Sequence, residues 1–176
     1  MQKQIKTVFS VRHLTYMGVL VALQFILTRF LGIPFILEKR ISFAYLPVVF
    51  AALTMGPIPA AMVNGVADVL GALLVPQGGS IHPGFTFTAI VGGLIYGVIL
   101  YRKNVKWYHL VLARLITILI CQWGLNTLWL TTLLGKGFFP LLATRIIPDL
   151  AQFPIDVFLL YFLFTFFKRL PASLRP

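Results

Sequence analysis

Trp123, Asn126 and Trp129, near the end of a long apolar run, have side chains suited to holding a small molecule. They follow one another at i, i+3 steps, so a helix places them on one broad face. Two cations, Lys136 and Arg145, flank a glycine-rich turn just beyond the run. Aromatic faces, an amide that donates and accepts hydrogen bonds, and paired cations suit a flat, polar, anionic ligand. The other elements are therefore interpreted as walls around such a ligand.

The composition of the chain points to a membrane protein. Of its 176 residues, 59% are hydrophobic and 11% are charged, and the mean hydropathy is +0.93. A soluble domain cannot cover that much apolar surface with so few polar side chains. The apolar runs are continuous, whereas membrane β-barrels use alternating segments of about 10 residues. We therefore predict an all-α integral membrane protein of six transmembrane helices, at about 20 residues each.

The apolar runs divide the chain into six predicted spans within a single transmembrane domain of residues 1–176. Tight turns such as Gly56-Pro57-Ile58-Pro59 separate the runs. The sixth span is expected to begin near Pro148, because proline suits the first helical turn. The predicted spans are residues 13–31, 41–55, 60–75, 85–101, 108–134 and 148–167.

The loop cations predict the orientation in the lipid bilayer. Nine lie on the side of the termini and five on the other side, which places both termini in the cytoplasm. The net charge of +11 reflects these topology determinants and not nucleic-acid binding. Arg114, early in span five, is expected to snorkel to the inner surface, with a structural ion pair as the alternative. The two sets are Lys3, Lys6, Arg12, Arg102, Lys103, Lys106, Lys168, Arg169 and Arg175 inside, and Arg29, Lys39, Arg40, Lys136 and Arg145 outside.

Polar residues within the spans are the other candidates. A carboxylate in the bilayer core is costly, so Asp68, roughly mid-membrane, is expected to face a cavity or a partner. It suits two adjacent N–H donors of a ligand, and a structural pair with Arg29 is the alternative. The remaining expectations are helix bridging by Asn64, helix capping by Asp149 and an exposed loop position for His82, with Gln152 and Asp156 unassigned.

Catalytic motifs are absent from the sequence. It contains no GxxxxGK phosphate loop, no HExxH zinc motif and no GxSxG nucleophile turn. Four acidic residues and three scattered histidines favour neither a metal site nor a proton relay. The single cysteine, Cys121, lies within a span and excludes a disulfide within the chain. We therefore predict a protein that is not an enzyme, has no metal or cofactor, and relies on a separate motor for any transport.

Several short runs of residues spread along the chain form a recognisable pattern. The most specific run is Asn126-Thr127-Leu128-Trp129-Leu130, followed by Gly135-Lys136 and by Arg145-Ile146-Ile147-Pro148. Two further runs are Asn64-Gly65-Val66-Ala67-Asp68-Val69-Leu70-Gly71 and Pro83-Gly84-Phe85-Thr86. With these runs the sequence resembles the substrate-binding S components of energy-coupling factor (ECF) vitamin transporters, specifically the folate-specific ones, and the likeness extends over nearly the whole chain.

The resemblance implies an S-component fold that binds folate with high affinity at the outer face and delivers it into the cell. The implied partners are a transmembrane coupling subunit and two cytoplasmic ATPases, which would hydrolyse the ATP. In that family a small-residue motif on the first helix contacts the coupling subunit. Gly18 and Ala22 occupy its place, with glycine where alanine is frequent.

A pteridine ring with a glutamate tail also suits the candidate residues. The ring offers flat faces and a donor edge, and the tail offers carboxylates that a guanidinium binds bidentately. The expected contacts are Asp68 and Asn126 with the pteridine edge, Phe85, Trp123 and Trp129 with the ring, and Arg29, Lys136 and Arg145 with the glutamate.

Three alternatives stay open from the sequence. One is an S component for another vitamin, although the positive outer side disfavours cationic thiamine. Another is a small integral-membrane enzyme, which would need a nucleophile, base or metal cluster. The third is a structural membrane subunit without a ligand, which would leave Asp68 and Asn126 unexplained.

Overall fold

The computed structural model describes residues 11–30, 33–34, 40–41, 43–74, 82–101 and 105–169. Within them the chain forms six continuous helices and one pair of two-residue strands. The first four helices are α1 (Val11–Arg29), α2 (Tyr45–Thr54), α3 (Pro57–Leu74) and α4 (Pro83–Leu100). The fifth is a composite helix, Trp107–Leu134, built of α5 (Trp107–Thr117), a π-helix (Ile118–Asn126) and α6 (Thr127–Leu134). The sixth is α7 (Phe138–Arg169).

The two strands lie between α1 and α2, where the sequence predicted a loop followed, from Ile41, by span two. Strand β1 (Ile33–Pro34) pairs antiparallel with β2 (Arg40–Ile41), and Ile33 lies opposite Ile41. Because Ile41 belongs to a strand, α2 begins at Tyr45 and not at Ile41 as predicted. Several cations used to predict the orientation fall outside the described residues, namely Lys3, Lys6, Lys39, Arg102, Lys103 and Arg175.

Four of the described helices are long and apolar enough to cross a membrane. They are α3, α4, the composite helix and the Phe138–Phe166 part of α7. Helix α1 has 19 residues and α2 has 10. A buried apolar cluster packs the helices together, with Val48, Val49, Val63, Leu100, Leu110 and Leu160 almost fully buried.

Helix α7 begins ten residues before the predicted start at Pro148. Gly135 ends α6 in the left-handed conformation, with φ of 64°, and the chain turns into a new helix at Phe138. Pro140 occupies its first turn, the place that Pro148 was expected to take. Pro148 and Pro154 lie inside α7, where each lacks the N–H that would bond one turn back. A proline in the sequence therefore marked a possible start but not the actual one.

Glycines allow α3 and α4 to pack in direct backbone contact. A Cβ built at Gly97 would lie 2.1 Å from the Cα of Pro57, and one at Gly93 would lie 2.6 Å from the carbonyl oxygen of Ala60. These contacts are with backbone atoms, which cannot move aside as a flexible side chain would. The walls of any site between the two helices therefore depend on these glycines.

Gly97→Ala is expected to lower the free energy of unfolding by about 1–3 kcal/mol, because the methyl group forces α3 away from α4. Gly18→Ala is the matched control, since a Cβ at Gly18 meets nothing within 4 Å. Thermal unfolding of both variants in detergent measures the difference. Equal melting temperatures for the two variants would contradict the close contact.

Candidate functional site

A cavity of about 340 Å³ lies between α2, α3, α4, the composite helix and α7. Small-molecule sites in proteins have volumes of about 300–1,000 Å³. Most apolar residues around it are small or aromatic, including Ala89, Gly92 and Phe85. Its polar lining residues are Asn64, Asp68, Thr88, Tyr96, Arg114, Thr117, Gln122, Asn126, Asp149 and Gln152.

The π-helix decides which residues of the composite helix face this cavity. Thr117, Cys121, Gln122 and Asn126 line it. Thr117 and Gln122, and likewise Cys121 and Asn126, are five residues apart, a spacing that the wider i→i+5 turn keeps on one side. Thr127 Oγ1 donates to the backbone carbonyl of Gln122 at 3.1 Å, at the end of this segment. Asn126 thus faces the cavity, whereas the face predicted from i, i+3 steps did not include Gln122.

The two tryptophans of the composite helix are bonded to different neighbouring helices. Trp123 Nε1 donates to Asp149 Oδ2 on α7 at 3.0 Å, and Trp129 Nε1 donates to Thr88 Oγ1 on α4 at 3.0 Å. Neither indole is among the residues that line the cavity directly. Each indole N–H group is therefore bonded to a side chain of a neighbouring helix, and both rings are half-buried.

His82 lies in the wall next to Trp129. It caps α4, with Nδ1 accepting from the backbone N–H of Gly84 at 3.1 Å. Its ring centroid is 5.5 Å from that of Trp129 and 6.0 Å from that of Phe85. The expectation of an exposed loop histidine is therefore wrong, because the free N–H of the helix start and two aromatic rings hold the imidazole.

Asp68 faces the cavity and also has partners beside it. Thr86 Oγ1 donates to Asp68 Oδ2 at 2.8 Å, and the guanidinium of Arg29 is close enough to interact electrostatically. Arg29 lies against Gly71, where a Cβ would come within 2.4 Å of the guanidinium. The cavity and the structural pair, which the sequence offered as alternatives for Asp68, therefore occur together. Arg29 itself does not line the cavity.

Asn64 bridges helices, as predicted. Gln24 Nε2 on α1 donates to Asn64 Oδ1, and Asn64 Nδ2 donates to the carbonyl of Ala89 on α4 at 2.6 Å. Both ends of its amide are therefore engaged. This bridge ties α1, α3 and α4 together at the cavity wall.

One face of α7 carries a row of polar side chains, of which Asp149 and Gln152 line the cavity and Arg145 and Asp156 do not. Arg145, Asp149, Gln152 and Asp156 recur at helical spacing on that face. Asp149 is buried, lines the cavity and interacts electrostatically with Arg145. The expectation that Asp149 caps a helix is wrong, because α7 begins before it. Arg145 is half-buried one turn beyond Asp149, and Lys136 is exposed in the link between α6 and α7.

A buried ion pair closes the end of the cavity opposite Arg145. Arg114 Nε donates to Asp156 Oδ2 at 2.9 Å, and Nη2 of the same guanidinium donates to that oxygen at 2.5 Å. Arg114 Nη1 donates to the hydroxyl of Tyr96 at 3.3 Å, and Gln152 Nε2 donates to Asp156 Oδ1 at 3.2 Å. The expectation that Arg114 snorkels is wrong, and the structural ion pair is confirmed, because Asp156 offers a partner inside the bundle.

Sequence reasoning missed four polar lining residues, Thr88, Tyr96, Thr117 and Gln122. Gln122 carried a usable signal, since it is an amide within an otherwise apolar run. Thr88 and Tyr96 carried none, because threonine and tyrosine are common in apolar helices. Gly18 and Ala22 lie on an exposed face of α1, away from the cavity.

Apolar helices around a half-polar cavity define a multi-pass membrane protein with an internal site for a small molecule. Residues 12–173 match the family described as ECF transporter, substrate-specific component, and the chain belongs to this family. The prediction of a transport component, and not an enzyme, is thereby confirmed. The family also accounts for a site that binds without catalytic groups.

Similar proteins agree with this assignment. The folate transporter FolT of Clostridium novyi (strain NT) is 37% identical over 154 residues, covering 86% of this chain and 87% of the relative. FolT of Leuconostoc mesenteroides subsp. mesenteroides is 30% identical over 158 residues, covering 86% and 84%. A crystal structure of FolT bound with folic acid matches with a TM-score of 0.82 and 32% identity, covering 96% of this chain and 98% of that one. The predicted helical S-component fold is confirmed.

Proposed function

We propose that this protein binds folate in the cavity between α3, α4, the composite helix and α7, and delivers it into the cell as part of an ECF transporter. The observation that carries this proposal is a half-polar cavity of about 340 Å³ in a chain 37% identical to a folate transporter. A cavity of mixed lining suits folate, which combines a flat heterocycle with charged carboxylates.

The pteridine ring is assigned to the part of the cavity near Asp68, Asn126 and Phe85. Asp68 supplies a carboxylate to the 2-amino group of the ring, and Asn126 supplies an amide to the neighbouring edge. Phe85 lines the cavity and offers a ring face, which Trp129 supports through the aromatic cluster around His82. Trp123 contributes through Asp149, whose carboxylate its indole N–H holds in the wall.

The glutamate tail is assigned to the side of the cavity beyond Asp149, toward Arg145 and Lys136, neither of which lines the cavity. Arg145 is on the same face of α7 as Asp149 and one turn closer to the exposed link that carries Lys136. A guanidinium at this position can bind a carboxylate bidentately. Arg29 lies close to Asp68, so its charge acts chiefly on the carboxylate assigned to the pteridine edge.

The partners and the orientation follow from the same assignment. Both termini are placed in the cytoplasm, and Gly18 and Ala22 form the contact for the transmembrane coupling subunit of the transporter. Both residues are exposed, and a side chain at Gly18 would meet nothing within 4 Å, so another helix can approach closely. Two cytoplasmic ATPases would drive transport.

Arg145→Ala is expected to weaken folate binding about tenfold or more, because a charge-assisted hydrogen bond to the glutamate is lost. Pteroic acid, which lacks the glutamate, should bind the variant and the wild type alike. Isothermal calorimetry on purified protein in detergent measures both ligands. Arg169→Ala, which removes a cation from the opposite end of α7, is the matched control and should change neither affinity.

The outcomes separate the assignment of Arg145 from the proposal as a whole. Equal losses for folate and pteroic acid would contradict the role of Arg145 but leave folate as the ligand. If the folded wild-type protein does not bind folate, the proposal that folate is its ligand is wrong, and only its membership of the family is retained.

A further inference from the structure

Two amides on the π-helical segment, Gln122 and Asn126, face the cavity and bond to one another. Asn126 Nδ2 donates to Gln122 Oε1 at 3.2 Å. Among the described residues, no other hydrogen bond holds either side-chain amide. Gln122 has no place in the assignment of ligand contacts given above.

This pair presents a hydrogen-bond donor beside an acceptor, and it can do so in either order. With Asn126 donating, Asn126 Oδ1 is a free acceptor and Gln122 Nε2 a free donor. If both amides turn by 180°, Gln122 Nε2 donates to Asn126 Oδ1 and the mutual bond is kept. The free groups then exchange their roles, with a donor on Asn126 and an acceptor on Gln122.

The other amides of the cavity do not have this freedom. Both ends of the Asn64 amide are engaged, by Gln24 and by the carbonyl of Ala89. Gln152 Nε2 donates to Asp156, a carboxylate that only accepts, so the Gln152 amide is fixed in one orientation. The adaptable pair is therefore specific to the π-helical segment.

We propose that Gln122 is a further ligand-binding residue, and that its joined turning with Asn126 lets the site accept both 4-oxo and 4-amino pteridines. This inference rests on the proposed function. A 4-oxo pteridine presents an N–H donor beside a carbonyl acceptor, and a 4-amino pteridine presents a ring-nitrogen acceptor beside an amino donor. The donor and the acceptor therefore exchange places between the two edges. Turning both amides exchanges the donor and the acceptor of the pair in the same way.

The test compares folic acid with aminopterin, which carries an amino group in place of the 4-oxo group. Calorimetry on the wild-type protein should give dissociation constants within about threefold of each other, because both edges can be fully paired. Gln122→Leu should weaken both ligands about fivefold to tenfold and leave their ratio unchanged, because Asn126 alone can still turn.

Asn126→Asp is the isosteric second variant. A carboxylate only accepts, so Gln122 Nε2 must face it, and the groups left for the ligand are both acceptors. The diaminopteridine ring is the more basic of the two and takes up a proton at N1, so the added negative charge of the carboxylate favours its cation. The ratio of affinities is therefore expected to move about tenfold or more toward aminopterin.

Three results would contradict the inference even though the wild-type protein binds folate. They are a wild-type preference above about thirtyfold for either ligand, unchanged binding of both ligands by folded Gln122→Leu, and an unchanged ratio in folded Asn126→Asp. Failure of folded wild-type protein to bind either ligand would instead overturn the proposed function.

Discussion

Asp156→Ala is expected to lower the free energy of unfolding by about 3–5 kcal/mol, because it leaves the guanidinium of Arg114 buried without its counter-ion. Arg114 is 7% exposed and Asp156 is fully buried, so the guanidinium is poorly hydrated once the carboxylate is lost. The same substitution removes the partner that fixes the Gln152 amide in the cavity wall. Denaturant titration in mild detergent measures the loss.

Two comparisons separate the ion pair from simple loss of packing. The double variant Arg114→Met/Asp156→Leu removes both charges and keeps side-chain volume, so it should recover most of the lost stability. Asp149→Ala, on the same face of α7, should cost less, because the carboxylate of Asp149 accepts a hydrogen bond from the neutral indole of Trp123. A double variant as unstable as Asp156→Ala would contradict an origin in the uncompensated charge.

The membrane fold could be predicted from the sequence because its signal lies in single residues and continuous runs. Runs of apolar residues indicate where helices can form, because an α-helix pairs its backbone N–H and C=O groups within one segment, and lipid offers them no other partners. The cost of a carboxylate in such a run likewise predicted that Asp68 faces a cavity or a partner. Asn126 and Phe85 were found by the same reasoning, as polar or aromatic exceptions near the ends of apolar runs.

The features that the sequence did not predict depend on helix register and on distant pairings. The i, i+3 rule assumes α-helical geometry, so in the π-helix it did not place Gln122 on the face toward the cavity. Trp123 and Trp129, which the rule placed on that face, do not line the cavity. Pro148 suggested a helix start because proline suits that position, but Gly135 and Pro140 set the actual one. The partner of Arg114 lies 42 residues away on another helix, and no local pattern indicates it.

Gly84→Ala is expected to weaken folate binding about tenfold to a hundredfold, because the added methyl group displaces the indole of Trp129. A Cβ at Gly84 would lie 2.4 Å from Trp129 Cδ2, and Gly84 is buried at the start of α4. The displaced indole would also lose its bond to Thr88 and its contact with His82. Calorimetry measures the affinity, and tryptophan emission reports the movement of the ring.

Thr88→Val distinguishes the position of the indole from its hydrogen bond. Valine keeps the space beneath Trp129 but removes the oxygen that accepts from its Nε1, so a smaller loss of about threefold to tenfold is expected. Gly92→Ala controls for emission, since its Cβ would meet nothing closer than 3.6 Å. Equal affinities for Gly84→Ala and the wild type would contradict a role for Trp129 in supporting the ring-binding wall. A loss in Thr88→Val as large as in Gly84→Ala would instead assign that role to the hydrogen bond, because the space over Gly84 is then unchanged.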